Sequence, residues 1–335
     1  MGSARRRDQV TGVIMLRLFG LVVAVAVAMA AHAAEAQPYP SRPIRLLLVY
    51  PPGGAADLVA RAVGQPLAAR LGQPVVVENR PGSNGNLAGE VVARANPDGY
   101  TLLLGPSALF GINPHLYAKM SIDPLKDLAP VASVVSNALL LAANPKLGPT
   151  NFRDFIAFAR SAKSPLFYGS IGNGSEHHLA MEMLKQSAGI DLTHVPYKGG
   201  GPAALGVMSG DVAAMFGGGS VASLVQSGEL RGLAISSRKR SPTLPDLPSI
   251  SEFYPDYEVT LWQGLFAPVG TRPEVIARLR TELNAVLANA DVMDKLAAAG
   301  SGDPYISTLP DFAARIRSDH DKYGKVIHDI GLHVE

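Results

Sequence analysis

Short apolar stretches alternate with amphipathic stretches along most of the chain, and this alternation predicts its strands and helices. In the first part of the chain, strands are predicted at 44–50, 75–78 and 101–104, with helices at 55–70 and 86–95 between them. This alternating order favours a parallel sheet whose crossovers are right-handed.

A second alternation begins after two short strands predicted at 131–135 and 139–143. A helix is expected to start at Asn151, and strand and helix patterns then follow one another up to about residue 236. The further strands are predicted at 166–170, 193–196, 212–216 and 230–236, and the further helices at 175–188 and 202–209.

The last third of the chain suggests a return to the first sheet. A strand predicted at 259–267 is followed by helical patterns at 272–290, 291–299 and 309–330. We therefore expect two α/β domains, which would bind a ligand between them because the chain crosses from one to the other twice. The expected domains are a discontinuous first domain, 37–138 plus 256–335, and an inserted second domain, 139–255.

The first 36 residues have the pattern of a cleavable signal peptide. Arginines precede an apolar run at 18–31, and the small residues up to Ala36 match a cleavage site. The run is too short to span a bilayer comfortably. We expect export to the periplasm, with translation starting at Met1 or at Met15.

Charge and cysteine content exclude several classes of function. Residues 37–335 carry equal numbers of acidic and basic side chains, which argues against nucleic acid or an anionic membrane surface as a partner. The chain has no cysteine, so it can form neither a disulfide nor a lipoprotein anchor.

The turn Pro51-Pro52-Gly53-Gly54 joins the first predicted strand to the first predicted helix. Glycines at such a turn let N–H groups point outward at a helix start, which suits a small anion such as a carboxylate. No lysine or hydroxyl residue follows at the spacing of a phosphate-binding loop. Asp57 would repel an anion, so we expect it to be a structural brace of this turn rather than a ligand contact.

A second glycine-rich loop, 169–175, also leads into a predicted helix, with Ser175 as its N-cap. Two interpretations stay open: a second anion-binding loop facing the first, or an ordinary strand–helix loop. Tyr197 and Lys198 precede Gly199 in a third turn, where they would offer a ligand an aromatic wall and a charge. A dinucleotide fingerprint is disfavoured there because no acidic residue follows at the required distance.

Motifs for metal binding and catalysis are weak. His178 and Glu182 are spaced to share a helix face, but no further ligand motif accompanies them, so we expect no metal site. No G-x-S-x-G nucleophile turn exists. Trp262 is interpreted as a core residue near the hinge rather than as a residue that stacks on a ligand.

Several of these stretches together resemble the substrate-binding receptors of tripartite tricarboxylate transporters, the Bug family. The resemblance covers 39–335 in order and spacing, and the combination of motifs is highly specific. The matching stretches are 39–44, Pro51-Pro52-Gly53-Gly54 with Asp57 and Arg61, 77–82, 111–117, 169–175 with 178–180, and 195–199.

The resemblance implies an α/β protein with the type II periplasmic binding protein fold, in which two domains enclose a ligand cleft. It further implies a monomeric periplasmic receptor that binds a small carboxylate and delivers it to membrane permease subunits, with no enzymatic activity and no cofactor. The ligand-binding residues implied by the resemblance are Tyr50, Gly53, Gly54, Ala55, Ser107, Ser170, Gly172, Asn173, Gly174, Ser175, Tyr197, Lys198 and Gly199.

Some positions depart from the family pattern towards a less polar site, notably Ala56, Phe110, Ala213 and the glycine run 217–219. They favour a monocarboxylate or a less polar dicarboxylate over a citrate-like polyanion. Two other functions stay open at this point: an exported enzyme acting on a small carboxylate in the same cleft, and a receptor that presents its ligand to a membrane kinase.

Overall fold

The first sheet starts from three apolar strands near the beginning of the described chain. The computed structural model describes residues 39–241, 244–298 and 302–334, so the predicted signal peptide lies outside the described residues. Strands β1 (Ile44–Leu48), β2 (Val75–Asn79) and β3 (Thr101–Pro106) are parallel and lie in the order β2-β1-β3. The predicted parallel arrangement of these three strands is confirmed.

Three later strands complete the first sheet: β4 (Leu128–Ala138), β10 (Thr260–Pro268) and β11 (Asp303–Pro304). The full order is β11-β4-β10-β3-β1-β2. Strand β10 is antiparallel to both of its neighbours, so the sheet is mixed. The predicted return of the chain to the first sheet is therefore confirmed.

The second sheet contains the strands between the two visits to the first. It has five strands in the order β7-β6-β8-β5-β9, with β6 parallel to β7 and β8 and with β5 antiparallel to β8 and β9. Its strands are β5 (Leu140–Ala143), β6 (Phe167–Ser170), β7 (Thr193–Pro196), β8 (Ala214–Gly217) and β9 (Arg231–Ile235).

Helices connect and cover the strands of both sheets. Within the described ranges, none of them has the length and apolar character needed to cross a bilayer. The helices are α1 (Ala55–Leu71), α2 (Asn86–Ala93), α3 (Ser107–Gly111), α4 (Asn113–Leu116), α5 (Pro124–Asp127), α6 (Phe152–Ser161), α7 (Glu176–Ala188), α8 (Gly200–Ser209), α9 (Gly219–Gln226), α10 (Pro273–Leu287), α11 (Ala290–Ala298) and α12 (Leu309–Asp329).

Helix starts follow two different patterns. The side chains of Asn151, Ser175 and Thr308 each accept a hydrogen bond from a first-turn N–H group and so cap α6, α7 and α12. Helices α1 and α8 instead begin directly after Gly54 and Gly199, which carry no capping side chain. The positive ends of these two helix dipoles are therefore left without a side-chain cap at the N-cap position.

The chain passes between the two sheets twice. Leu139 alone separates β4 from β5, and residues 236–259 join β9 to β10. The two crossings touch at Ser236, whose hydroxyl accepts from the N–H of Leu139 at 2.7 Å and donates to the carbonyl of Val259 at 2.6 Å. Because both crossings are bonded to the same buried serine, they are held side by side.

Aromatic side chains fill the space on one face of the first sheet. Phe110 stacks on Phe266 with ring centroids 4.1 Å apart, and Phe312 meets Trp262 edge-on at 5.3 Å. All four rings are buried. Such packing combines apolar burial with favourable ring geometry, and it confirms that Trp262 belongs to the core.

Asp319 on α12 forms a buried charged network with this core. Its carboxylate accepts hydrogen bonds from Trp262 Nε1, Arg315 Nε and Lys322 Nζ at 2.7, 2.8 and 2.7 Å. Burial alone would raise the pKa of Asp319, but the charges of Lys322 and Arg315 outweigh it and lower the pKa. Arg315 also contacts Glu258, which precedes β10, so the network joins the last helix to the second crossing.

We predict that Asp319→Asn destabilises the protein by about 3 kcal/mol, because removing one member of a buried charged network leaves its partners uncompensated. Urea unfolding at neutral pH measures this free energy. Asp329→Asn on the same helix is the matched control, since Asp329 pairs with the exposed Lys325 and its loss should leave the unfolding midpoint in place. Equal effects of the two substitutions would contradict the prediction.

Two buried histidines of α7, His177 and His178, and the half-buried His194 lie beside the second sheet. The rings of His178 and His194 stack 3.8 Å apart, and His194 Nε2 lies 2.6 Å from Ser170 Oγ. His177 is buried on the same helix. Burial is the main cause that lowers the pKa of each of these three histidines to about 4, so they are neutral at physiological pH.

We predict that acid weakens the fold before most carboxylates titrate. In the unfolded chain these histidines take up protons as the pH falls through about 6.5, whereas in the folded protein they resist protonation until about pH 4. The free energy of unfolding should therefore fall steadily from pH 6.5 to pH 4. Thermal unfolding between pH 6.5 and pH 4 measures how steeply the free energy of unfolding changes with pH. His177→Gln should reduce this pH dependence, whereas His328→Gln, at an exposed position, should leave it unchanged.

Candidate ligand-binding site

A cavity of about 370 Å³ lies beyond the carboxyl ends of β1 and β3. Ligands of open α/β sheets bind at this edge, and the volume is in the range of small-molecule sites. Its walls come from the turn after β1, the loop after β3, β4, β10 and the first turn of α7. The lining residues are Tyr50, Pro51, Gly54, Ala55, Ala56, Pro106, Ser107, Val135, Asn137, Glu176, Leu261, Trp262 and Gln263.

The turn before α1 forms one wall of this cavity. Gly53 has a φ of +86°, a conformation that favours glycine, and Gly54 is the N-cap of α1. A Cβ placed on either glycine would meet no atom within 4 Å, so the turn borders open space. Tyr50, Gly54 and Ala55 line the cavity as the resemblance implied, whereas Gly53 is not among the lining residues.

Asp57 is bonded within this turn. Its carboxylate accepts from Gly53 N at 3.1 Å, from Asn79 Nδ2 at 3.0 Å and from Arg61, and Asn79 Nδ2 also donates to the carbonyl of Tyr50. The hydrogen bond from Arg61 is the main cause that lowers the pKa of Asp57 to about 2. These contacts give a physical basis for the brace role, which stays a prediction.

The start of α3, directly after β3, meets helix α7 beside the second sheet at the cavity. Ser107 Oγ donates to Glu176 Oε1 at 3.0 Å, and the N–H of Trp262 points at Ser107 Oγ from 3.4 Å. Ser107 is buried, and Glu176 is only 8% exposed. Burial raises the pKa of Glu176, while hydrogen bonds from backbone N–H groups and from Ser107 oppose the rise.

The glycine-rich loop before α7 is arranged differently from the first turn. Ser170 Oγ and Ser175 Oγ both donate to the carbonyl of Gly172, and Ser175 also caps α7. A Cβ on Gly174 would lie 2.4 Å from Leu116, so the loop packs tightly on α4. The five loop residues that the resemblance implied as ligand contacts, Ser170, Gly172, Asn173, Gly174 and Ser175, do not line the cavity. Their part in binding stays a prediction.

The third turn also lies away from the cavity lining. The Tyr197 ring packs against α8. A Cβ on Gly206 of that helix would meet the Tyr197 hydroxyl at 2.3 Å. Lys198 is exposed, and Gly199 has a φ of +116° at the start of α8. The contacts of Tyr197, Lys198 and Gly199 with a ligand therefore stay a prediction as well.

Sequence reasoning missed the part of the wall that comes from distant strands. The predicted strand at 259–267 pairs with β3 and β4, and this pairing brings Leu261, Trp262 and Gln263 to the same sheet edge as the first turn. The predicted return of that strand to the first sheet could have placed these three residues at the site. No sequence feature could have placed Glu176 there, because an acidic residue in a first helical turn is common.

The cavity lining carries one ionisable carboxylate and no cation. Among the described residues that line it, none is lysine, arginine or histidine. No group of three or more metal-ligating side chains exists within the described part of the chain either. An anion in this cavity would therefore depend on backbone N–H groups, hydroxyls and the dipole of α1 rather than on an ion pair.

Known proteins share this arrangement of sheets and helices. The chain is 34% identical over 321 residues to the protein BugT of Bordetella pertussis, covering 95% of this chain and 98% of that one. A solved R. palustris protein with adipate is 32% identical, with a TM-score of 0.74 and coverage of 88% and 100%. MatC from Rhodopseudomonas palustris with bound malate is 29% identical, with a TM-score of 0.69 and coverage of 86% and 100%.

A sequence model of one family covers most of the chain. It describes tripartite tricarboxylate transporter family receptors and matches residues 59–332. The second sheet, the first sheet except β1 and the cavity wall except Tyr50 to Ala56 fall within that range. The chain therefore belongs to the tripartite tricarboxylate transporter receptor family.

Proposed function

We propose that this protein binds a small carboxylate in the 370 Å³ cavity and delivers it to the permease subunits of a tripartite tricarboxylate transporter. The observation that carries the proposal is the position of the cavity at the start of α1, where the N-cap residue Gly54 has no side chain, beside Ser107. A helix start of this kind favours an anionic group.

The ligands of related structures agree with this class. One relative was solved with adipate and another with malate, and both ligands are small carboxylates. The cavity wall of this chain is largely apolar, with Val135, Leu261 and Trp262 facing the same space as Ser107. A short aliphatic or aromatic body would bury its surface there while its carboxylate meets the polar turn.

An enzymatic function is not supported. The family and the fold are those of solute-binding receptors. The ionisable groups in the described cavity lining are Glu176 and the Tyr50 phenol, so the lining lacks the histidine or lysine base that commonly activates a serine such as Ser107.

We also propose where the protein works and what it docks on. Receptors of this family are periplasmic, and residues 1–36 carry the pattern of a signal peptide for that export. We infer that the protein works as a free monomer that docks on the membrane subunits.

The domain boundaries are also part of the proposal. Residues 37–138 with 256–335 would form one lobe and residues 139–255 the other, since the strands of each sheet fall within these ranges. The pair of crossings at Leu139 and Ser236 would then act as the hinge.

The proposed function predicts that carboxylates of four to six carbons stabilise the protein. Ligand at 100 times its Kd adds about 2.7 kcal/mol, which raises Tm by several degrees. Thermal unfolding and calorimetric titration with plain monocarboxylates, dicarboxylates and their amino-substituted forms measure this. Amines of equal length without a carboxyl group are the control. If no carboxylate of any kind binds, the proposed function fails.

A second prediction concerns Asp57. Asp57→Ala removes the acceptor of Gly53 N and should loosen the turn before α1, weakening carboxylate binding about tenfold. Asp291→Ala, on the exposed first turn of α11, is the control and should bind normally. Titration of both variants with the tightest carboxylate measures the effect, and unchanged affinity in Asp57→Ala would rule out the brace role.

A further inference from the structure

An acidic side chain such as Glu176 is unexpected in a cavity that is proposed to bind an anion. It is 8% exposed, lines the cavity, and reaches across from α7 to Ser107 on the first sheet's side. A ligand carboxylate beside an ionised Glu176 would meet a like charge in a partly dehydrated space. Such repulsion is much stronger there than between charges in bulk water.

The groups that surround Glu176 do not neutralise it. Asp319 and Tyr323 approach from α12, and the negative charge of Asp319 further raises the pKa of Glu176. Tyr50 faces it from the first turn, and burial together with the Glu176 charge raises the pKa of that phenol. The next residue, His177, is neutral because burial lowers its pKa to about 4.

The cations beside Asp319 are already paired. Arg315 and Lys322 both bind the Asp319 carboxylate, and Arg315 also contacts Glu258. Neither cation lines the cavity. Within the described residues, Glu176 is therefore a buried carboxylate whose hydrogen bonds come from a hydroxyl and from backbone N–H groups but from no positive charge.

Two amide oxygens of wall residues lack a donor. The Oδ1 atom of Asn137 and the Oε1 atom of Gln263 are buried and have no hydrogen-bond partner among the described residues. Both atoms are enclosed by protein, so Glu176 is the acidic acceptor that the cavity wall offers to an occupant.

We propose that Glu176 makes this receptor selective for ligands that carry a protonated amine as well as a carboxylate. This inference rests on the proposed function and names the class of carboxylate. The ligand's carboxylate would lie at the start of α1, and its ammonium group would lie at Glu176. Plain dicarboxylates are disfavoured because their second carboxylate would approach Glu176.

The test compares ligands of equal length. For each chain of four to six carbons, calorimetric titration at pH 7.5 compares the monocarboxylate, the dicarboxylate, the α-amino acid and the ω-amino acid. At one length at least, an amino acid should bind ten times or more tightly than both plain acids, the effect of one hydrogen bond to a charged group. The comparison in the wild-type protein tests the inference without any variant.

Glu176→Gln then isolates the charge at nearly constant volume. Affinity for the preferred amino acid should fall about 10- to 100-fold, and affinity for the plain acids should stay equal or rise. Glu182→Gln is the matched control: it lies on the same helix and is equally buried, but it bonds to Tyr168 and Lys185. That variant should keep the amino-acid preference.

The possible results distinguish failure of this inference from failure of the proposed function. Binding of plain acids with an affinity equal to or above that of the amino acids overturns the selectivity and leaves the carboxylate receptor intact. An amino-acid preference that survives in Glu176→Gln overturns the role of Glu176. Plain acids that bind much more tightly at pH 5 than at pH 8 would show Glu176 acting as a neutral donor, which also overturns the proposal.

Discussion

Ser236 joins the two places where the chain passes between the sheets, and the cavity wall depends on that bond. Its hydroxyl and its backbone both pair with Leu139 and Val259, and the side chain is fully buried. Because Leu139 follows β4 and Val259 precedes β10, this pairing sets the two strand ends side by side. Asn137 and Leu261, which pair directly across the two strands, thereby come together on the cavity wall.

The pairing of the cations near the cavity determines which groups remain to bind an anion. Arg61 pairs with Asp57, and Arg315 and Lys322 pair with Asp319, so the positive side chains near the cavity already serve the scaffold. An anion would then be held by short-range, directional N–H groups at a helix start. In such a cavity the charge of a single carboxylate, Glu176, would outweigh the other polar groups.

The order of elements could be predicted from the sequence, because apolar periodicity is local. The return of β10 to the first sheet was also predictable, as was the start of α6 at the cap of Asn151. Only some of the residues of the cavity wall could be predicted from the sequence. Tyr50 and Ser107 follow strand ends, but Gln263 enters through pairing with residues more than 120 positions earlier. For the loop at Ser170–Ser175 the sequence left two interpretations open, an anion-binding loop or an ordinary strand–helix loop, and its hydroxyls donate to the carbonyl of Gly172.

The contact between Glu176 and Ser107 changes what closure of the two lobes would accomplish. A glycine loop facing the first turn would add more N–H donors and tighten the hold on any anion. An acidic side chain from α7 would instead bring a negative charge to the ligand on closure. A ligand shifts a conformational equilibrium only by its difference in affinity for the two states. A ligand whose cationic group meets Glu176 would favour the closed state, and a second carboxylate at that point would oppose it. Selectivity would then be exerted in the closing step rather than in the first encounter with the turn before α1.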